Sequence, residues 1–332
     1  MRKMSGKILL VGGILSMFLL GGCAGNTARQ EAAQAGQTVA WTEDFSGQTV
    51  DMKVNAAPKR AVSMSQATTE MLLTLGLEDH MAGTAFKEEE IYPPLADAYA
   101  KVPVLSEKWP SYEALMAAQP DFVTGWDTAF SKRGIEASKI TDRHIPIFVP
   151  DSMQSTKADL NTLFQDMLKL GDIFQVQDKA EQWVGSQKKQ LAAIQDKIKD
   201  LPQKRVFVFD SEDGEPFTVF EGYTTNLLKL IGADNVMSGT GVDKTWAKTS
   251  WESVVAANPD YIIVVDYGVS IRNDDDFNQK VEKIRSNPQL QNITAVRDNH
   301  FIRVKLSEIT PGVRSVAALQ RLAEEIHGVT LE

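Results

Sequence analysis

The sequence predicts an α/β protein of two similar lobes, each built on a mostly parallel sheet flanked by helices, with one long helix joining them. Two internal repeats and one amphipathic stretch between them carry this expectation. Ser111 to Val123 (SYEALMAAQPDFV) matches Ser250 to Ile262 (SWESVVAANPDYI) at six of thirteen positions. Thr68 to Gly83 matches Thr224 to Gly239 at six of sixteen. Between the repeats, Gln175 to Leu201 places Val176, Ala180, Trp183, Val184, Leu191, Ile194 and Ile198 among Lys, Gln and Glu at helical spacing, without proline.

The elements follow in chain order. Arg2, Lys3 and Lys7 surround or precede an apolar run from Ile8 to Leu20, which ends in Leu20-Gly21-Gly22-Cys23. That run is too short for a spanning helix, which needs about 20 residues, and has the length of a secretory leader. Residues 1–22 are therefore expected to be a signal peptide. Cys23 is the only cysteine, so no intrachain disulfide can form, and an unmodified exposed thiol outside the cytoplasm is a liability. Ala24 to about Asp44 is rich in Ala, Gln, Gly and Thr with no apolar period, and residues 23–54 as a whole are expected to form a flexible tether.

A first lobe is expected over 55–174. It opens with Lys59-Arg60 and a strand, continues with a helix over Met71 to Leu75 that Gly76 ends, and contains the unit at Ser111. That unit reads as a short helix capped by serine, with an acid in its first turn, a stop before proline and then a strand. Residues 175–201 form the linking helix; the alternative is a helix packed within one lobe, with the hinge in a loop. The second lobe, 202–332, repeats the order: Lys204-Arg205 and a strand, a helix over Leu227 to Ile231 ended by Gly232, the unit at Ser250, and a buried β-branched strand from Tyr261.

Several motifs in this order carry a family resemblance: Pro58-Lys59-Arg60, Thr69 to Gly76, Val102-Pro103-Val104, the two Glu-centred units, and Pro311-Gly312-Val313-Arg314 leading into a helix from Ser315 to His327. Over roughly residues 55 to 328 the chain resembles the substrate-binding proteins of ABC importers for siderophores, haem and cobalamin. Leu20 to Cys23 likewise resembles the lipobox of bacterial lipoproteins. The resemblance implies a helical-backbone periplasmic binding protein fold, a monomer anchored by acyl chains such as palmitate at Cys23, and no enzymatic activity. It implies ligand capture in the interlobe cleft and delivery to a permease with a cytoplasmic ATPase, at a periplasmic face or on the outer surface. The implied ligand is an iron complex, a ferric siderophore first, with haem or a cobamide as the alternative. It also implies that Glu113 and Glu252 dock on permease arginines. Taken without the resemblance, each acid simply complements its helix dipole, worth about 0.3–1 kcal/mol.

Ligands of doubly wound sheets sit beyond the carboxyl ends of the strands. That rule selects Ser65, Gln66, Phe86, Tyr92, Lys108, Trp109, Trp126, Tyr223, Trp246, Tyr267, Lys305 and Arg314. Trp109, Trp126, Trp246 and Tyr267 are expected in loops, where they suit a large and partly apolar ligand; core packing is the competing explanation. Lys108, Lys132, Arg133, Lys244, Lys248, Arg272, Lys305 and Arg314 could meet the oxygens of an anionic ferric chelate. Arg314 stands foremost, because a cation opening a helix gains nothing from the dipole and needs another reason.

Other classes fit less well. His80, His144, His300 and His327 have no paired ligand spacing, so no direct metal site is expected. Asp274-Asp275-Asp276 lacks the spacing of a calcium loop and reads as a solvated turn. A net charge of −9, more acidic still once a basic leader is removed, argues against nucleic acid. The sequence lacks a Gly-x-Ser-x-Gly elbow, a His-Glu-x-x-His pair and a P-loop. A cleft hydrolase and a lipoprotein adhesin or signalling partner remain as rivals.

Overall fold

The computed structural model describes residues 38–267 and 276–331. The expected signal peptide and Cys23 lie outside the described residues, as does Arg272. No helix among the described residues is long and apolar enough to cross a membrane.

The first element corrects the expected tether. Strands β1 (Val39–Phe45) and β2 (Gln48–Val54) pair as an antiparallel hairpin. Its two-residue turn is Ser46-Gly47, with φ of 57° and 83°, the positive values that a tight hairpin turn requires. The polar alternate positions concealed a period-two pattern in which Val39, Glu43, Met52 and Val54 are buried. The Trp41 indole N–H donates to the Ile147 carbonyl at 3.0 Å, and Glu43 accepts the Val149 N–H at 3.0 Å. The hairpin is thereby fixed against the first sheet.

That sheet contains β3 (Ala61–Ser63), β4 (Met81–Ala85), β5 (Val104–Ser106), β6 (Phe122–Thr124) and β7 (Ile147–Phe148). Their spatial order is β5-β4-β3-β6-β7 and every pairing is parallel. The second half begins with β8 (Lys204–Phe209), β9 (Ser211–Asp213), β10 (Glu215–Val219), β11 (Ala233–Asn235) and β12 (Trp246–Lys248), and ends with β13 (Tyr261–Val265) and β14 (Phe301–Val304). Four of these make a parallel sheet in the order β11-β8-β13-β14, and β12-β10-β9 form a small antiparallel one. In each parallel sheet the order reverses beside its first strand, between β3 and β6 and between β8 and β13. Crevices that hold ligands open at such reversals.

The repeat extends to side-chain detail. Ser111 and Ser250 each cap their helix by accepting an N–H three residues on, at 3.2 Å. Gln119 and Asn258 both adopt left-handed backbone, with φ of 50° and 44°. Asp121 then accepts the N–H groups of Lys59 and Arg60 at 2.8 and 2.9 Å, and Asp260 accepts that of Arg205 at 2.8 Å. The same carboxylate thus holds the entrance to the first strand of each half.

A 22-residue helix, Gln177–Ile198, runs between the sheets and is about 33 Å long at 1.5 Å per residue. Near its start, Lys179 donates to the Leu75 carbonyl at 3.1 Å, and Ala180 packs where Gly171 leaves no room for a Cβ. Farther along, Gln190 reaches Gln320 at 3.1 Å and Gln195 reaches the Leu230 carbonyl at 3.2 Å. One buried cluster therefore continues from Phe122 and Phe164 through Ala180, Val184 and Ile194 to Val206, Leu228 and Leu319. Two further clusters cover the other faces, one around Val62, Leu115 and Ile140 and one around Phe207, Val254 and Ile284. The two halves therefore share a core, because the linking helix buries apolar residues against both.

Candidate functional site

Parallel strands release their chains on one edge, and the residues just past those ends gather around a single cavity of about 800 Å³. Phe86 follows β4, Trp109 follows β5, Trp126 follows β6, and Ser152 and Met153 come after β7. From the other half, Asp210 follows β8, Tyr267 follows β13, and Thr310 and Pro311 lie beyond β14. Phe217 and Trp246 come from the small antiparallel sheet, where Trp246 opens a strand rather than occupying the loop expected for it.

Two aromatic stacks stand in this wall. Phe86 and Trp109 lie 4.7 Å apart with planes at 13°, and Phe217 and Trp246 lie 6.0 Å apart at 21°. Stacked rings are stiff and present flat apolar faces, and such pairs contribute roughly 0.5–1.5 kcal/mol beyond burial. The Trp109 indole N–H donates to the Met64 carbonyl at 3.1 Å, which fixes the ring's orientation. Phe86 holds a φ of 57°, a conformation uncommon for a bulky residue and one that turns the chain at the cleft edge.

Tyr267 is held from below. Its backbone N–H donates to Asp276 at 3.1 Å, and its hydroxyl donates to Asp210 at 2.5 Å. Lys280 lies 4.8 Å from its ring centre, pairs with Asp276 at 2.7 Å and donates to the Val265 carbonyl at 2.6 Å. Burial and the Asp210 carboxylate push the Tyr267 hydroxyl well above the usual phenol range. Asp276, expected in a solvated turn, is buried and opens the helix Asp276–Ser286.

Charge in the cavity is mostly negative. Among the described residues, Glu88, Asp210 and Glu221 line it, with Arg133 as the one guanidinium. Burial lifts the Glu88 carboxyl to about 7, with a further push from Glu89 and a downward pull from the Trp126 side chain. A lining rich in basic residues, expected for an anionic chelate, is therefore absent among the described residues. Lys108 is exposed and outside the lining. Lys305 occupies the position before the short helix Leu306–Ile309, its backbone N–H donating to Glu308 at 2.7 Å, and its Nζ stands 4.0 Å from Glu90.

Arg314 has a different role from the one expected. It is buried, and its Nε donates to Glu70 Oε2 at 2.9 Å while Nη2 meets Glu70 Oε1. Nη1 donates to Glu89 at 3.2 Å, and Nη2 donates to the Glu90 carbonyl at 2.7 Å. The fork that suits a ligand's oxygens grips carboxylates of this chain instead. Tyr92 packs beside that guanidinium, at 5.6 Å from ring centre. Ser65 is fully buried and caps the helix Gln66–Thr74. Tyr223 touches the cavity but is 3% exposed, with its hydroxyl donating to Ser315 at 2.7 Å.

Of the twelve residues selected by the strand-end rule, Phe86, Trp109, Trp126, Tyr223, Trp246 and Tyr267 converge on the cavity, whereas Ser65, Gln66, Tyr92, Lys108, Lys305 and Arg314 do not; of the further basic candidates, Arg133 lines it. Glu88, Asp210 and Glu221 were missed. Asp210 directly follows a strand end, so the rule that selected the others could have found it. Glu113 and Glu252 are exposed at equivalent places in their helices. The amide of Glu113 itself and Ser111 hold its carboxyl below the usual range.

Comparisons with known proteins agree with this architecture. A crystal structure of a periplasmic binding protein from Veillonella parvula DSM 2008 is 70% identical, covers 89% of this chain and all of its own, and superposes with a TM-score of 0.87. The substrate-binding lipoprotein YvrC of an ABC transporter of Bacillus subtilis is 26% identical over 96% of both chains. The petrobactin-binding protein YclQ of Bacillus subtilis is 27% identical over 75% of both. Further matches are named for vitamin B12, haem and Fe3+-hydroxamate. With residues 62–306 also matching the model of the periplasmic binding proteins, the chain belongs to that family.

Proposed function

We propose that this protein captures a bulky metal chelate of neutral or positive charge, a ferric trihydroxamate or a corrinoid, and delivers it to an ABC permease. It is an extracytoplasmic substrate-binding protein of an ABC importer and not an enzyme, as its family and relatives are. The relatives' named ligands span siderophore, haem and cobalamin chemistry, so their names alone do not choose among chelates.

The observation that favours this ligand class is the lining of the cleft. Among the described residues, seven aromatic side chains surround a cavity of about 800 Å³, with three carboxylates against one guanidinium. A cavity of that size suits a large ligand whose surface is mostly apolar. A triply anionic tricatecholate complex or a haem bearing two propionates would meet like charge there. Within the siderophores, this narrows the expected iron complex to the hydroxamate kind.

Delivery is read from Glu113 and Glu252, the paired exposed acids that mark the same point in each half and would meet arginines of a permease. An acyl anchor on Cys23 accompanies that reading and keeps the loaded protein near the membrane; a single chain binds only marginally, whereas two make a stable anchor.

Intrinsic fluorescence tests the ligand class, because Trp109, Trp126 and Trp246 line the cavity. Titration with uncharged and cationic ferric trihydroxamates, cobalamin, a ferric tricatecholate and haem should quench emission at micromolar or lower concentration for the first two groups or for cobalamin. Tight binding confined to the tricatecholate or to haem would overturn the reading.

A further inference from the structure

We propose that Glu43 and Asp166 are positioning residues for ligand capture: neither lines the cleft, and together they hold in place the crossing segment from Val149 to Ser155, which forms part of its wall. The inference rests on the reading of the cleft as the ligand site and applies to whichever chelate binds there.

The segment has no strand or long helix of its own to satisfy its backbone. It leaves β7 at Phe148, passes through one tight helical turn, Asp151–Met153, and runs on to the helix Leu160–Ile173. Amides in such a stretch need acceptors from elsewhere, because a buried N–H left without one is costly. Two carboxyls supply them. Glu43, on β1, uses Oε1 to accept both the Val149 N–H and the Trp41 indole N–H, each at 3.0 Å. Asp166, on the helix Leu160–Ile173, accepts the Asp151 N–H with Oδ1 and the Ser152 N–H with Oδ2, each at 2.9 Å. Gln154 closes the turn by donating its side-chain amide to the Val149 carbonyl at 3.1 Å.

Both acids are held in the interior in spite of what burial does to them. Glu43 and Asp166 are 5% and 3% exposed. Loss of solvent pushes their carboxyls up to about 7 and about 6, against the downward pull of these same hydrogen bonds, and the nearby Asp151 adds a further push to each. At Asp166 the carboxylate has a specific use, since its two oxygens answer two consecutive N–H groups, which an amide side chain with a single acceptor oxygen cannot do.

The segment so held stands between two spaces. Ser152, Met153 and Ser155 line the cavity of about 800 Å³. Asp151, Gln154 and again Ser155 line a separate pocket beside the hairpin, together with Glu43. The segment is thus a thin wall with ligand space on one face and the hairpin on the other. Its far end meets the second half of the molecule. Gly222, with φ of 85°, leaves no room for a Cβ, which would stand 2.8 Å from the Thr245 methyl and 3.3 Å from the Ser155 carbonyl oxygen. Asn226 donates to the Ala158 carbonyl at 2.8 Å. A shift of the backbone at Val149 to Ser152 therefore displaces the cleft wall and disturbs the seat of the second half together.

The test measures affinity and amide hydrogen exchange on the purified protein at pH 8, where both carboxyls are mostly ionised. The probes are an uncharged and a cationic ferric trihydroxamate, cobalamin, a ferric tricatecholate and haem, and affinity is followed with each one that the wild type binds. Asp166→Asn is nearly isosteric but offers one acceptor oxygen to two N–H groups, so it should weaken binding about tenfold and speed exchange of the Asp151 and Ser152 amides. Glu43→Gln keeps an oxygen for the Val149 N–H and should bind within about twofold of wild type, whereas Glu43→Leu should lose about tenfold. Val254→Ala opens a cavity in the core of the second half, outside the cleft lining, and should lower stability without changing affinity, which separates positioning from stability. Asp166→Asn that binds like the wild type overturns the proposal. So does a loss of affinity with exchange at Asp151 and Ser152 unaltered, or an equal loss in Val254→Ala. If haem or the tricatecholate alone binds, the ligand class falls, and weakening of that probe by Asp166→Asn still supports the proposal. Binding of none of the probes by the wild type removes the ligand reading of the cleft and the proposal with it.

Discussion

Arg314 and Glu70 lie 244 positions apart in sequence and meet as a buried, two-pronged ion pair that joins the halves of the molecule, with Nε and Oε2 at 2.9 Å. Glu89 completes the cluster, so two carboxylates share one guanidinium. Arg314→Ala should lower unfolding stability by about 3–5 kcal/mol, because it leaves buried acids without a counter-charge. Arg314→Lys keeps the charge but loses the planar fork, and should cost less. Urea midpoints measure both; an alanine variant within about 1 kcal/mol of wild type would show that the pair contributes little.

Stability should fall as pH rises from 5 to 8. Burial pushes the Glu43, Glu88 and Glu89 carboxyls up to about 7 and that of Asp166 to about 6. Each group holds its proton more firmly when folded than when unfolded. The stability linked to that proton is fully present below the ordinary carboxylate range and is lost as pH rises through the folded value. Thermal midpoints across this interval should decline, and Glu43→Gln should remove part of the slope. A flat or rising profile would mean that these carboxyls are ionised throughout.

Glu113 and Glu252 give a prediction that separates capture from delivery. Glu113→Arg combined with Glu252→Arg should abolish uptake in cells, whereas ligand affinity of the purified protein stays within about twofold, since both acids are exposed and outside the cavity lining. Each single variant should lower uptake less than the double. Undiminished import by the double variant would leave these acids with only their helix-dipole role.

The repeated halves were legible because their marks are local. Serine caps, a glycine after a helix and a carboxylate after Asn-Pro or Gln-Pro act within a few residues, and the structure shows each one performing its local task. The aromatic wall was legible for a related reason, since position after a parallel strand fixes which edge a side chain approaches. Arg314 was misassigned because its partners Glu70 and Glu89 are distant in sequence, and no local pattern announces them. Glu88 was missed because it lies within a run of three glutamates, Glu88 to Glu90, which reads as solvated surface. Gln66, which opens a helix, and Arg314, which directly precedes another, turn that run into a bracketed segment. The hairpin at Val39 was missed because Thr, Glu and Asp occupy its outward positions and dilute the alternation.

The continuous core along the helix Gln177–Ile198 also limits how such a receptor can be rebuilt. Although its halves echo each other residue for residue in places, Val184 and Ile194 commit their shared spine to both at once. A fragment ending before that spine would expose apolar surface, and so would one beginning after it. Exchange of binding specificity with a relative is therefore best attempted by grafting the strand-end loops around the cleft, leaving the spine and the residues packed on it as one inherited block.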